Sequence, residues 1–294
     1  MTTKTIIVFG ATGVQGKGLI EALSPHAEFN IIALSRNPLS SSSKYLASLP
    51  RVKVIKVPDN CMEEPSKVFQ SLDLQKGDVY GVFSVQGYVD DTTMIRQGKA
   101  IADTSVQFGV KHIVYSSVDF AGLDDTKFST FECKRAVENH ILTLPIRHTF
   151  LRPVQFMDIW LPDVEAQFKM GRTVWAKHTY YKNPNKKHQL ISSRDIGIAG
   201  ARAFVQGREG PIRLAGDELS VKEIQATYKE VMGHNIAFSP SPLAWFVKQV
   251  VPVVKQFAKF FEETGYNVPI AEVRKEFPEF EDYRSFLLRH KNKK

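Results

Sequence analysis

Three glycines that follow an apolar, β-branched run carry the clearest chemical signal in the sequence. Residues 5–9 form the run, Gly10, Gly13 and Gly16 follow it, and helical spacing begins at the last of them. In this order, backbone N–H groups at the start of a helix face the phosphates of a dinucleotide. We therefore predict a dinucleotide site here, and a merely flexible loop is the weaker interpretation. The contacts expected from the loop are Gly10, Thr12, Gly13, Val14, Gln15 and Gly16.

Arg36 favours one dinucleotide over the other. It ends the second strand-like segment, where NAD-binding proteins carry an acidic residue about 20 positions after the glycine loop. A guanidinium instead suits the 2′-phosphate of NADP, and no Asp or Glu occurs between Ile31 and Lys56. The sequence therefore predicts NADP(H), with a solvent-facing arginine as the alternative.

Strand-like and helix-like segments alternate through the first half of the chain, and they must position these residues. The strand-like segments are residues 5–9, 31–34, 52–57, 79–85, 112–115 and 146–151. The clearest helical patterns are residues 16–23, 93–108 and 129–142. This alternation predicts an α/β fold, a Rossmann doubly wound parallel sheet with helices on both faces.

Topology then nominates further contacts, because cofactors cross the carboxyl ends of the strands at the switch point of such a sheet. Asp59 follows the third strand and is expected near the adenine. Val85 and Gln86 follow the fourth strand and are expected near the middle of the cofactor. Lys134, in the helix after the fifth strand, could hold the nicotinamide ribose. An ordinary exposed helical lysine is the alternative.

The alternation of strand-like and helix-like segments ends near residue 155, so we predict a Rossmann domain over residues 1–155. A smaller α+β C-terminal lobe, residues 156–294, is expected to form a substrate or partner cleft and to return some segments to the sheet. Within it, Ser220 and Glu223 form a predicted capping box that opens a helix over residues 221–232. Two loops are also predicted: serines 40–43 near the cofactor, and an exposed basic loop over residues 182–188.

Composition excludes several classes of protein. The 294 residues are 43% hydrophobic with a net charge of +8, which fits a globular chain with anionic partners. Two cysteines rule out a disulfide scaffold. The histidines lack metal-ligand spacing, and His178 and His188 are predicted loop residues, so no metal site is expected. No recognition helix accompanies the basic segments, so direct nucleic-acid binding is not expected.

An apolar segment over residues 243–261 is interrupted by three lysines and Pro252. We interpret it as a pair of amphipathic surface helices rather than a membrane span, with packing on the core favoured over peripheral membrane contact. Cytoplasmic localisation is predicted, with the nucleus as a second compartment.

A family resemblance emerges from motifs that run in order along nearly the whole chain. They are residues 10–16, 36–38, 115–117, 131–134 with Glu138, 151–158, 193–197 and 214–220. Together these resemble NmrA-like proteins of the atypical short-chain dehydrogenase/reductase superfamily. The resemblance implies a Rossmann domain with a smaller lobe, and NADP(H) contacts that extend to Pro153, Gln155 and Phe156.

The resemblance leaves two functions open. Some relatives are regulators that bind the dinucleotide without turning it over and control transcription factors; others are reductases or isomerases. Classical members carry a proton-donating tyrosine four residues before the active-site lysine, where this chain has Thr130. We therefore favour an NADP(H)-responsive regulator or a weak, specialised reductase. The alternative is an active NADPH-dependent reductase of a small conjugated or aromatic carbonyl substrate, with Lys134 as its catalytic group.

Three aromatic residues are candidates for a substrate pocket: Tyr88, Phe120 and Trp160. Core packing would explain Phe120 and Trp160 equally well. Relatives also end the arginine–proline turn motif with Asn where this chain has Asp158, and the sequence assigns no consequence to that difference.

Overall fold

The computed structural model describes residues 3–72, 74–87, 89–180, 183 and 185–292. Its strands are β1 Lys4–Val8, β2 Phe29–Ser35, β3 Val52–Lys56, β4 Val79–Ser84, β5 His112–Ser116, β6 Arg147–Pro153, β7 Gln155–Phe156, β8 Lys187–Ile191, β9 Gly210–Leu214 and β10 Asp217–Ser220. Its α-helices are α1 Val14–Leu23, α2 Ser41–Ala47, α3 Pro65–Ser71, α4 Asp91–Gln107, α5 Ser129–Leu142, α6 Ala166–Val174, α7 Ser193–Gln206, α8 Val221–Met232, α9 Ser241–Val250, α10 Pro252–Glu263, α11 Ile270–Glu276 and α12 Tyr283–Lys291. A 3-10 helix spans Met157–Trp160 and a π-helix spans Trp175–Thr179.

The larger sheet has seven strands in the order β3-β2-β1-β4-β5-β6-β9. The pairings from β3 through to β6 are all parallel. The strand order reverses beside β1, whose next strand in the sheet on one side is β2 and on the other is β4. This is the order of a dinucleotide-binding Rossmann sheet, and it confirms the predicted fold class.

The inner strands of this sheet are largely buried, whereas the edge strand β3 contains no buried residue. Ile6, Ile7 and Val8 of β1 have no exposed surface, as expected for a central parallel strand. One face packs into a core with Phe69 and Phe150. The sheet therefore forms a firm base from which the loops at the carboxyl ends of the strands project.

Two compact units can be distinguished by their internal contacts. The first contains residues 1–118, 133–152 and 196–212, and the second contains residues 119–132, 153–195 and 213–294. The chain thus crosses between the units several times. The two-domain division near residue 155 stays a prediction.

The second unit has its own small sheet and its own aromatic core. Its sheet has the order β10-β8-β7, with β10 antiparallel and β7 parallel to β8. Trp160 and Trp175 are both fully buried, with ring centroids 5.0 Å apart. The Ser220–Glu223 capping box is present at the start of α8, as predicted, and Gly233 ends that helix in the left-handed conformation.

Three local predictions were wrong. His188 lies in β8 and is buried beside Trp175 rather than in an exposed loop. His178 lies in the π-helix. The serine stretch is not a loop: Ser40 caps the first turn of α2 through the N–H of Ser43, which is itself fully buried. For His188, the pairing of β8 with β10 overrides weak local propensity.

The helix pair predicted near the C-terminus is present as α9 and α10, with Pro252 starting the second helix. One side of α9 packs inward through the buried Ala244, and its other side is exposed, as in an amphipathic surface helix. The preference for core packing over peripheral membrane contact stays a prediction. Among the described residues, no helix is long and apolar enough to cross a membrane.

Candidate functional site

The glycine loop makes a tight turn between β1 and α1. Gly10 has a φ of +72°, a conformation that L side chains rarely adopt. A Cβ atom on Gly16 would lie 2.3 Å from the carbonyl oxygen of Gly10, so only glycine lets the helix come this close to the turn. Val85, at the end of β4, packs directly over Gly10. These contacts fix where α1 begins.

The N-terminus of α1 is left open. Gly13 is the N-cap and makes no side-chain cap bond, and the first turn contains no acidic residue. Thr12, Gly13 and Val14 are exposed. The first N–H groups of a helix lack intrahelical acceptors and carry the positive end of its dipole. An anion such as a pyrophosphate would accept hydrogen bonds from these N–H groups and interact favourably with the positive end of the dipole.

Ser116, the last residue of β5, connects two elements of the site. Its hydroxyl donates to Gln15 Oε1 at 2.5 Å, which ties the start of α1 to the end of β5. Its carbonyl oxygen accepts from Lys134 Nζ at 3.2 Å. The same ammonium lies 5.3 Å from the centre of the Tyr115 ring. Lys134 is therefore not the freely exposed helical lysine that was the alternative.

Burial lowers the pKa of Lys134 to about 8, and the opposing influences of Cys133 and Glu138 do not restore it. Glu138 lies one turn further along α5 and is almost fully buried. Both of its oxygens accept from the guanidinium of Arg152 on β6. This bidentate pair fixes α5 beside the sheet, and so fixes the height at which Lys134 meets Ser116.

Two buried polar atoms near the strand ends have no partner within the described structure. Gln86 is 7% exposed; its amide nitrogen donates to Ser84 Oγ at 2.9 Å, but Oε1 accepts nothing. Ser117 is 6% exposed and its hydroxyl is also unpaired. Buried polar groups are normally hydrogen-bonded. These atoms therefore have the capacity to bind polar groups of a ligand.

Arg36 stands at the end of β2 with its side chain 70% exposed. Its guanidinium lies 3.9 Å from the carboxylate of Asp59, itself highly exposed, so the two predicted contacts meet in space. The loop behind Arg36 is fixed by Ser43, whose hydroxyl bonds Ser35 Oγ at 2.8 Å and the Asn37 carbonyl at 2.9 Å. Sequence spacing gave no sign of this serine network.

Three further predicted cofactor contacts lie around β7. Pro153, Gln155 and Phe156 belong to the second unit, where the last two form β7. Gln155 is nearly buried and its Oε1 has no partner among the described residues. Their contact with a cofactor stays a prediction.

The predicted pocket residues gain no support. Tyr88 lies outside the described residues. Trp160 has no exposed surface and Phe120 is 3% exposed, as core positions would be. Thr130 lies in the first turn of α5 and is half-buried. A lining role for these aromatic residues stays a prediction.

Asp158, which the sequence left unexplained, acts as a cap for α7. Its carboxylate accepts from the backbone N–H of Ser193 at 3.2 Å and from Ser193 Oγ at 2.7 Å. An acid so placed satisfies the first donors of the helix and complements its dipole. No spacing rule could have found this pair, because the two residues are far apart along the chain.

Among the described residues, no group of three or more His, Cys, Asp or Glu side chains could hold a metal ion. Of the residues predicted at the strand ends, the charged ones are Lys134 and the exposed pair of Arg36 and Asp59. Lys134 and Arg36 can bind an anionic molecule that accepts several hydrogen bonds.

The sheet order and the glycine loop are those of a Rossmann fold. A model of the NmrA-like family matches residues 2–286, and the chain belongs to that family. An NmrA-like family domain-containing protein of Dictyostelium discoideum is 36% identical over 146 residues, 48% of this chain and 46% of that protein. The NmrA-like family domain-containing oxidoreductase lnaB of Aspergillus flavus is 30% identical over 119 residues, 39% of this chain and 34% of that protein. Each alignment thus spans less than half of the relative.

Solved structures share the fold across nearly the whole chain. NmrA, a negative transcriptional regulator crystallised in complex with NADP, has a TM-score of 0.71 at 16% identity, covering 98% of this chain and 95% of that chain. The Citrobacter sp. triphenylmethane reductase complexed with NADP(H) has a TM-score of 0.70 at 20% identity, covering 98% and 99%. At these identities the likeness establishes the fold alone.

Proposed function

We propose that this chain binds NADP(H), with the pyrophosphate on the open N-terminus of α1. The uncapped first turn of that helix, directly behind the glycine loop, is the observation that carries the proposal. The loop residues from Gly10 to Gly16 form the phosphate site. Both a regulator and a reductase of the same fold have been crystallised with NADP or NADP(H).

The proposal places the adenosine half of the cofactor at the end of β2. Arg36 would bind the 2′-phosphate, and Asp59 beside it would lie near the adenine. The exposed guanidinium has one nearby carboxylate, 3.9 Å away, so its hydrogen-bond donors are available to a phosphate.

The nicotinamide half would then lie near the ends of β4 and β5. Gln86 and Ser117 offer buried unpaired atoms there, and Lys134 is anchored on Ser116. We propose that Lys134 holds the nicotinamide ribose, and that Val85, Pro153, Gln155 and Phe156 complete the contacts.

NADP(H) selectivity is tested by calorimetric titration of the purified chain with NADPH and NADH. We expect NADPH to bind more tightly, and Arg36→Ala to weaken NADPH binding by roughly 10- to 100-fold, since a charged hydrogen bond contributes about 1.5–3 kcal/mol. NADH binding should be unchanged by the substitution.

Lys53→Ala is the matched control, because Lys53 is an exposed cation on the neighbouring strand β3. It removes the same charge and should leave both affinities unaltered. Equal affinities of the wild-type chain for NADPH and NADH, or an unchanged NADPH affinity in Arg36→Ala, would contradict the proposed selectivity.

The activity built on this binding is proposed as dinucleotide-responsive regulation, with a transcription factor as the partner class, or as a weak, specialised reduction. Thr130 is the reason, because its hydroxyl is a poor proton donor near neutral pH. Cytoplasmic localisation, with the nucleus as a second compartment, accompanies this proposal.

A full reductase is the second candidate, and the state of Lys134 favours it. An amine with a pKa of about 8 can exchange a proton near neutral pH, as a catalytic acid must. The substrate class would be a small conjugated or aromatic carbonyl compound. Several curated relatives are named oxidoreductases.

The two candidates are separated by NADPH oxidation across a panel of such carbonyl compounds, with NADPH binding measured in parallel. Turnover by the wild-type chain that Lys134→Ala abolishes, while the variant still binds NADPH, supports the reductase. NADPH binding without turnover of any compound supports the regulator.

A further inference from the structure

An exposed apolar face stands out in the second unit. Leu243, Trp245, Phe246, Val250 and Val253 are each between 43% and 55% exposed. They fall within eleven consecutive residues, although large exposed apolar side chains are otherwise scattered singly over the described chain. We call these five residues, four on α9 and Val253 at the start of α10, the α9 face. Clustered exposure of this kind marks an interaction surface, whereas single exposed apolar residues do not.

Helix geometry puts the α9 face on the outside of the unit. Leu243, Phe246 and Val250 are spaced three and four residues apart and so share one side of α9. The opposite side is anchored. Ala244 is fully buried, and Lys248 Nζ donates to the carbonyl oxygen of His178 at 2.7 Å and to Glu262 Oε1 at 2.5 Å. The apolar side chains therefore cannot turn inward without breaking these bonds.

Exposed lysines flank the α9 face. Lys177, Lys255 and Lys259 are exposed, and none lies in an ion pair within the described part of the chain. Lys177 borders the same recess as Trp245. Residues 241–263 contain three lysines and two glutamates, of which Lys248 and Glu262 pair with each other, and the whole chain carries a net charge of +8. The surface thus combines aromatic and aliphatic side chains with cations.

We propose that the α9 face binds the surface of an anionic phospholipid bilayer. An interfacial helix buries Trp, Phe and Leu side chains at the boundary between headgroups and acyl chains, while lysines contact anionic headgroups. The site holds the protein to the membrane peripherally, and it is independent of dinucleotide binding.

A second copy of the chain is a poorer occupant. Standard interfaces bury about 800 Å² on each partner, and ten residues of α9 give a helix only about 15 Å long. A symmetric dimer would also bring the same flanking lysines of both copies together. Anionic lipid instead neutralises these charges.

The three tryptophans make the proposal testable by fluorescence. Trp160 and Trp175 are fully buried and Trp245 is 55% exposed, so Trp245 reports the environment of the α9 face. The full chain is mixed with phosphatidylcholine vesicles, with or without phosphatidylserine. We expect a blue shift of emission, weaker quenching by acrylamide and co-sedimentation, all with the anionic vesicles.

Variants that keep Trp245 locate the binding. Phe246→Ser with Val250→Ser should weaken partitioning into anionic vesicles by about tenfold or more, and Lys255→Gln with Lys259→Gln by about tenfold or more. Leu142→Ser with Leu288→Ser is the matched control, because these exposed leucines lie outside α9 and α10. The control should bind as the wild type does.

Three outcomes overturn the proposal. They are no partitioning into anionic vesicles, equal partitioning into neutral vesicles, and partitioning that the α9 variants do not weaken. Shielding of Trp245 that depends on protein concentration and needs no vesicles would assign the α9 face to a protein interface instead.

Discussion

The N-terminus of α1 has no side-chain cap, whereas the N-terminus of α7 is capped by a carboxylate. Gly13 begins α1 with no side-chain cap and no acid in the first turn. By contrast, α7 begins at Ser193, whose N–H and hydroxyl are both bound by the carboxylate of Asp158. Both helices have the same free donors and the same dipole. The chain therefore closes the positive end of α7 with its own carboxylate and leaves that of α1 without one.

The N-terminus of α7 thus contributes to stability, whereas that of α1 is proposed to contribute to binding. The Asp158 carboxylate stabilises the first turn of α7. The glycine loop forgoes about 1 kcal/mol of capping, the usual contribution of a side-chain cap, and keeps the site accessible. A substitution can add a cap to α1 or remove the cap of α7.

Closing the α1 end should have the largest effect. In Gly13→Asp the carboxylate would cap α1 and repel the pyrophosphate, so we expect NADPH affinity to fall by more than about 100-fold. The backbone of Gly13 is extended, but a Cβ atom there would lie 3.3 Å from the carbonyl oxygen of Gly10, which is a tight contact. The cost of this contact opposes the gain from the cap, so the temperature of thermal unfolding should change little. Calorimetric titration and a melting curve measure the two quantities.

Gly13→Asn is the matched control, because it offers a similar cap without the charge. Its NADPH affinity should lie between those of the wild type and Gly13→Asp. Wild-type affinity in Gly13→Asp would contradict an anion site at this helix end.

The charge of Lys134 should produce the next largest effect. Its pKa of about 8 means that the ammonium predominates below that pH and the neutral amine above it. We expect NADPH affinity to fall by about tenfold as the pH rises from about 7 to about 9.5, because an anionic ligand loses a cationic partner. Titrations across this range measure the profile.

Lys134→Met supplies the comparison for that profile. It removes the titrating amine, so the decline in affinity above about pH 8 should disappear. An identical decline in both proteins would assign the pH dependence to other groups.

Opening the α7 end should have the smallest effect. Asp158→Ala removes the acceptor from Ser193, and we expect the free energy of unfolding to fall by about 1–2 kcal/mol. Asp158→Asn keeps an acceptor oxygen and should lose less. Chemical denaturation of the three proteins checks this order. Equal stability of the alanine variant and the wild type would remove the capping role.

Sequence reasoning succeeded where local chemistry determines local structure. The β-branched run, the glycine loop and the Ser220–Glu223 capping box each depend on residues close in sequence, and the alternation of strands with helices predicted the doubly wound sheet. The resemblance to NmrA-like proteins is confirmed by the family match.

It failed where distant residues decide the outcome. His188 is buried because β10 pairs with its strand. The anchoring of Lys134 on Ser116, the pairing of Arg36 with Asp59 and the cap from Asp158 likewise join residues that the fold brings together. The spacing of residues along the chain does not predict such contacts.

A crystal structure of the chain with NADPH tests the open helix end most directly. We predict the pyrophosphate on the N–H groups of Val14, Gln15 and Gly16, with the 2′-phosphate on Arg36. The unpaired oxygen of Gln86 should gain a partner in the same complex. NADPH bound elsewhere, with the N-terminus of α1 free of phosphate, would contradict the proposed site.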